Sequence, residues 1–232
     1  MASPAPSPVA EAGWKLALRG AVRLGLVCAL CALALRAGWT RGAWLLGLFV
    51  ATVLVNLALL AVVNPAVLRA RIARARIEHA QERRFAIVSF SSMLALLAIG
   101  ALDARFGWSN LGPASLRAGI ALHLLGDLPL LWTMAANPWL DRTVRIQSER
   151  AQRVVRSGPY RVVRHPMYFS LLLMEAGWPL ILGSLWAFVP WAVLAVALMR
   201  RIRFEEDLLR RELEGYAEYM QQTRFRIVPG VW

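Results

Sequence analysis

The feature that most constrains this chain is a series of apolar runs too long and too free of charge to remain in water. Gly42 to Val63 is 22 residues without a charged side chain. At about 1.5 Å per residue, a helix of that length crosses a hydrocarbon core of about 30 Å. Comparable runs occupy Trp14 to Leu35, Phe85 to Leu102, Ala114 to Ala136 and Met167 to Met199. Only 18% of residues are charged and 58% are hydrophobic, against about 25% charged in soluble domains. A segment inside lipid must satisfy its own backbone hydrogen bonds, and uncharged runs of this length do so as helices. The expected fold class is therefore all-α, a polytopic membrane helical bundle.

The last run fixes the span count. Met167 to Met199 is 33 residues with one charge, Glu175, and one helix of that length would measure about 50 Å. Gly183-Ser184 lies at its midpoint, flanked by Pro179 and Pro190, so the run reads as a hairpin of two short helices. Asn64-Pro65 stops the second span. About six spans result. Residues 1–13, rich in Pro, Ala and Ser, read as disordered. Residues 14–136 form a four-helix transmembrane region. Residues 137–232 comprise a polar loop, the hairpin and a cytoplasmic tail.

Charge sets the orientation. Of 27 basic residues, all Arg except Lys15, only Arg36, Arg41, Arg105 and Arg117 fall on the side opposite the other 23. The positive-inside rule then places both termini in the cytoplasm, as for a protein of the bacterial inner membrane. The net charge of +13 would suit nucleic acid, but its placement beside apolar spans excludes that partner. The basic stretch 66–84 reads as a surface segment facing anionic lipid head groups. A cleaved signal peptide is the alternative for the first run, because small residues Ala32 and Ala34 follow its apolar core. Cys28 and Cys31 sit in that same run without companion ligands and read as buried thiols.

The densest chemistry lies in Ser157-Gly158-Pro159-Tyr160-Arg161-Val162-Val163-Arg164-His165-Pro166-Met167-Tyr168. Gly158-Pro159 calls for a turn. His165 precedes proline and is biased to extended geometry, while Pro166 suits the first position of a helix. Arg164 and His165 thus stand at a helix mouth whose free N–H groups favour an anion, with Tyr168 close by. Glu205-Glu206 follow the second hairpin arm, and the hairpin returns them to the same membrane face. Arg201–Glu205, Glu206–Arg210 and Asp207–Arg211 also have i,i+4 spacing, so ordinary surface pairing is the competing expectation.

GPYRVVRHPMY, a helical hairpin, the Glu pair and GYAEYMQQTRFRIVPG together resemble the isoprenylcysteine carboxyl methyltransferase family. That family belongs to a wider group of membrane methyltransferases that includes phospholipid N-methyltransferases. The resemblance covers residues 137–232, and Ser170 stands where the family has Gly or Ala. It implies a cytoplasmic S-adenosyl-L-methionine site with Tyr160, Arg164, His165, Pro166, Tyr168, Glu205 and Glu206 as cofactor residues. Arg164 and His165 are the expected catalytic pair, and neither a metal nor a covalent enzyme intermediate is expected. The acceptor implied is lipophilic or small and membrane-permeant, bearing a carboxylate, thiol or amine.

Three ionisable groups lie at membrane depth, where charge is costly and often functional. His123 and Asp127 share a helix face and either pair structurally or line a substrate path; Glu175 has no evident partner. All three are candidate substrate residues. Tryptophans near the span ends read as interfacial belts. Two other functions compete: an NADPH-dependent membrane reductase of the sterol-reductase type, and a non-catalytic scaffold or transport subunit.

Overall fold

The structure, a computed structural model, describes residues 36–72, 79–109 and 111–232. The N-terminal segment 1–13, the first apolar run Trp14 to Leu35 with Cys28 and Cys31, and residues 73–78 of the basic stretch lie outside the described residues. Seven α-helices follow in order: α1 (Thr40–Val63), α2 (Pro65–Ile72), α3 (Ala80–Phe106), α4 (Pro113–Ala136), α5 (Pro166–Leu182), α6 (Phe188–Glu212) and α7 (Tyr216–Gln222). Two short 3-10 turns, Ser148–Arg150 and Gly158–Arg161, interrupt the loop between α4 and α5. No strand occurs among the described residues. The fold is an all-helical membrane bundle.

Helices α1, α3 and α4 are each long and apolar enough to cross a membrane. Their outer faces carry Leu54, Val62, Ile87, Phe90, Leu128 and Trp132 in exposed positions. So large an apolar surface is intolerable in water and natural in lipid. Trp108 and Trp186, both exposed, lie just beyond helix ends, where interfacial tryptophans belong.

The hairpin turns where expected. Gly183 adopts φ +74° and ends α5 in the left-handed cap that glycine favours. Arg41 seals this end: its Nη1 donates to the Leu180 and Ile181 carbonyls and to Ser115 Oγ, and its Nη2 to the Leu111 and Gly112 carbonyls. Nearby, Ser184 and Ser109 both donate to Asp103, fastening the hairpin tip to the end of α3.

Helix α3 outruns the expected Phe85–Leu102 at both ends, beginning at Ala80 and ending at Phe106. Gly107 at φ +67° stops it. At its start Glu82 is buried, accepting from Arg201 Nη2 at 2.8 Å and from the Val144 backbone N–H at 3.2 Å. Those bonds hold the added first turn of the helix against α6 and the loop after α4. Helix α6 likewise runs past Met199 to Glu212, so both acids sit on a rigid helix rather than in a polar tail.

Helices α4 and α5 meet backbone to backbone. A Cβ on Gly119 would lie 2.5 Å from the Gly177 carbonyl oxygen, and one on Gly126 would lie 2.9 Å from that of Ser170. Gly119 and Gly126 are seven residues apart, as are Ser170 and Gly177, so two small positions on each helix share one seam. Close approach through small residues is how helices pack in lipid, where no hydrophobic force separates one apolar face from another. Ser170 therefore serves the helix seam, with its hydroxyl bonded to the Pro166 carbonyl at 2.9 Å.

Candidate active site

The site begins with the turn before α5. Gly158 at φ +59° admits the 3-10 turn that buries Tyr160. The Tyr160 hydroxyl accepts from Asn137 Nδ2 at 2.8 Å, while its carbonyl accepts from the Tyr219 hydroxyl at 2.8 Å. The chain then extends through Arg164 and His165, whose backbone N–H groups donate to the carbonyls of Phe225 and Arg226 at 2.9 and 2.8 Å. Pro166 opens α5. The C-terminal tail is thus bonded alongside the helix mouth.

Glu206 is the centre of the charge arrangement. Its Oε1 accepts from Arg164 Nε at 2.6 Å and lies 3.2 Å from His165 Nε2; its Oε2 accepts from Arg226 Nε at 2.7 Å. Burial alone would raise this carboxyl, but hydrogen bonds from His165, Arg164 and Arg226 outweigh it and hold its pKa at about 2. Both oxygens are committed within the protein. The local-pair expectation fails for two of its three spacings: Glu206 takes Arg164 and Arg226 rather than Arg210, and Arg201 takes Glu82 rather than Glu205.

Glu205 occupies the other side of α6. The Tyr168 hydroxyl donates to its Oε2, and the Tyr168 ring stacks on His165 with centroids 5.5 Å apart and planes 13° apart. Arg164 also donates from Nη1 to the carbonyls of Thr223 and Arg224, which leaves its Nη2 uncommitted among the described residues.

These groups border a cavity of about 100 Å³. Of the seven expected cofactor residues, Tyr160, Arg164, His165, Pro166, Tyr168 and Glu205 line it, and Glu206 stands behind the wall. Trp139 and Gln147 from the preceding loop also line it, as do the buried Tyr216 and Tyr219. Burial raises both phenols, that of Tyr219 to about 12, so they remain hydroxyls at neutral pH.

The candidate substrate residues are dispersed. His123 is fully buried, with its Nδ1 accepting from Trp178 Nε1 at 3.1 Å and its Nε2 3.3 Å from Thr52 Oγ1. Asp127 accepts from Asn56 Nδ2 at 2.8 Å. Each is bonded to a neighbouring helix rather than to the other, and His123 offers no surface to a ligand. Glu175 faces a separate intramembrane cavity.

Sequence reasoning missed Glu82, Arg201 and Arg226 as site-building residues. Their partners lie far along the chain, up to 119 positions for Arg201 and Glu82. The one available signal was Glu82 itself, a carboxylate at the start of an apolar run within a basic stretch.

A helical membrane bundle closes a polar, charge-lined pocket at the end of its hairpin. The sequence model of the phospholipid methyltransferase family matches residues 115–214, from the first turn of α4 past the end of α6. Over that segment the chain is similar to the phospholipid methyltransferases, a family of membrane enzymes. The match takes in the helix mouth and both glutamates and ends short of Arg226. A comparison with curated proteins finds no match.

Proposed function

We propose that the protein transfers a methyl group from S-adenosyl-L-methionine, held in the cytoplasmic pocket, to a lipophilic or small membrane-permeant acceptor bearing a carboxylate, thiol or amine. One observation carries this reading. Residues 164–168 and 205–206, about forty positions apart, converge on one charge-ordered pocket in which Arg164 lies 2.6 Å from Glu206 and Tyr168 bonds Glu205.

The residues present suit the cofactor's chemistry. Glu205 keeps one oxygen free for an ammonium or a ribose hydroxyl. Arg164 Nη2 suits a carboxylate. When bound, the cofactor would supply an electrophilic methyl carbon on a sulfonium. The chain's own residues bind and orient. Glu206 fixes Arg164 and His165, His165 supports the Tyr168 ring, and the buried surroundings exclude water. Alignment of this kind supplies much of the acceleration in a direct transfer.

The cavity volume of about 100 Å³ falls below the roughly 300 Å³ at which small-molecule pockets begin. Cofactor binding therefore requires the loop of residues 137–155 to swing outward and close again. The pocket faces the cytoplasm, with both termini on that side of a bacterial inner membrane, as the distribution of arginines favours.

Calorimetry with S-adenosylhomocysteine on the purified chain in lipid nanodiscs tests the proposal. Binding that is weakened in both His165→Ala and Glu205→Ala supports it. NADPH binding instead turns the site into a reductase, and binding of neither ligand leaves a non-catalytic membrane protein.

A further inference from the structure

A second cavity, about 360 Å³, lies at membrane depth between α3, α5 and α6. Arg201 borders both this space and the cytoplasmic pocket, so the two meet across a single side chain. The walls are mainly apolar, and the indole N–H groups of its two tryptophans are committed, Trp178 to His123 and Trp191 to the Leu172 carbonyl. Three polar groups on its wall are not. Ser89 Oγ and Arg201 Nε are buried without a hydrogen-bond partner. The Glu175 carboxyl makes no hydrogen bond or ion pair among the described residues.

Unmet polar groups in an apolar, lipid-embedded space are costly, and an occupant that satisfies them removes the cost. Glu175 lies seven residues beyond Tyr168 on α5, hence about 10 Å deeper in the membrane. We propose that this cavity receives the chain of the methyl acceptor, and that Glu175 selects an amphiphile carrying a hydrogen-bond donor, a hydroxyl or amide N–H, about 10 Å from its methyl-accepting end. The acceptor assignment rests on the methyltransferase reading. The apolar remainder of the molecule lies against Trp178 and Trp191, and its reactive end reaches Arg201 at the junction with the cofactor pocket.

The test compares binding of tritiated 9-hydroxytetradecanoate and tetradecanoate to the full chain in nanodiscs. One hydrogen bond to Glu175 favours the hydroxylated acid by about fivefold. That margin persists in Glu175→Gln, whose amide oxygen still accepts, and vanishes in Glu175→Leu. Equal binding of the two acids to the unaltered protein overturns the proposal, as does a margin that survives in Glu175→Leu. Calorimetry with S-adenosylhomocysteine on the same samples reports on the enzyme separately and serves as the folding control for both variants. Cofactor-product binding without the margin defeats the Glu175 assignment alone. The margin without cofactor-product binding defeats the methyltransferase and, with it, the assignment of this chain as an acceptor.

Discussion

The two adjacent glutamates have opposite duties, and substitution separates them. Glu206 has both oxygens occupied by Arg164, His165 and Arg226 within hydrogen-bonding range. Glu206→Ala removes the counter-charge and leaves Arg164, itself buried, with only two backbone carbonyls. Stripping one partner from a buried ion pair costs about 3–5 kcal/mol, because the remaining charge stays desolvated. For a chain of 150–250 residues each kcal/mol moves the melting temperature by about 2–4 °C, so the expected loss is about 6–20 °C. Glu205→Gln keeps an oxygen for the Tyr168 hydroxyl and removes only a charge that faces the cavity. Its melting temperature is expected to stay within about 2 °C, as for changes that leave packing intact. Its affinity for S-adenosylhomocysteine falls roughly tenfold to a hundredfold, the value of one charge-assisted hydrogen bond. Thermal unfolding in nanodiscs and calorimetry measure the two effects. The paired change Arg164→Met with Glu206→Leu recovers part of the stability lost in Glu206→Ala, since a hydrophobic pair replaces an orphaned charge. The reverse pattern, a stability loss in Glu205→Gln and a ligand-specific loss in Glu206→Ala, would refute the assignment of roles.

Further predictions concern pH, packing and loop motion. A carboxyl at about 2 in the folded protein and about 4.3 when unfolded contributes about 3 kcal/mol above pH 4.3. That stability drains as pH falls from there toward 2; an acid titration of Glu206→Gln lacks this part of the slope. Gly177→Ala sets a Cβ 2.5 Å from the Gly119 carbonyl oxygen and costs about 1–3 kcal/mol by overpacking, read as a lower melting temperature; no change would show that the α4–α5 seam is looser than described. Hydrogen exchange across residues 137–155 slows on addition of S-adenosylhomocysteine, as the loop opens and recloses; unchanged exchange contradicts that motion.

Much of this architecture was readable from residue order because it depends on local rules. A 33-residue run with a single charge must fold back in a bilayer, and Gly183 is the residue that permits the left-handed turn. A proline after His165 sets the start of α5 for the same kind of reason. The meeting of Arg164, His165 and Tyr168 with the two acids follows from that hairpin. Partner choice did not follow. Arg201 is four residues from Glu205, yet it bonds Glu82, because α3 packs against α6 and brings Glu82 to a buried position. Arg226 reaches Glu206 because the tail pairs with the backbone of Arg164 and His165, a long-range bond that no periodicity announces. The small-residue seam was present in the spacing of Gly119, Gly126, Ser170 and Gly177, but only the packed helices show that the two pairs face each other. His123 and Asp127 share a helix face in the sequence, yet each takes its partner from a neighbouring helix.

The most direct measurement is photolabelling of the full chain in nanodiscs with S-adenosyl-L-methionine tritiated in its methyl group, followed by peptide mapping. The account predicts label on peptides containing residues 160–168 or 201–219, protected by excess S-adenosylhomocysteine. Label confined to other segments, or none that the homocysteine product displaces, would contradict it.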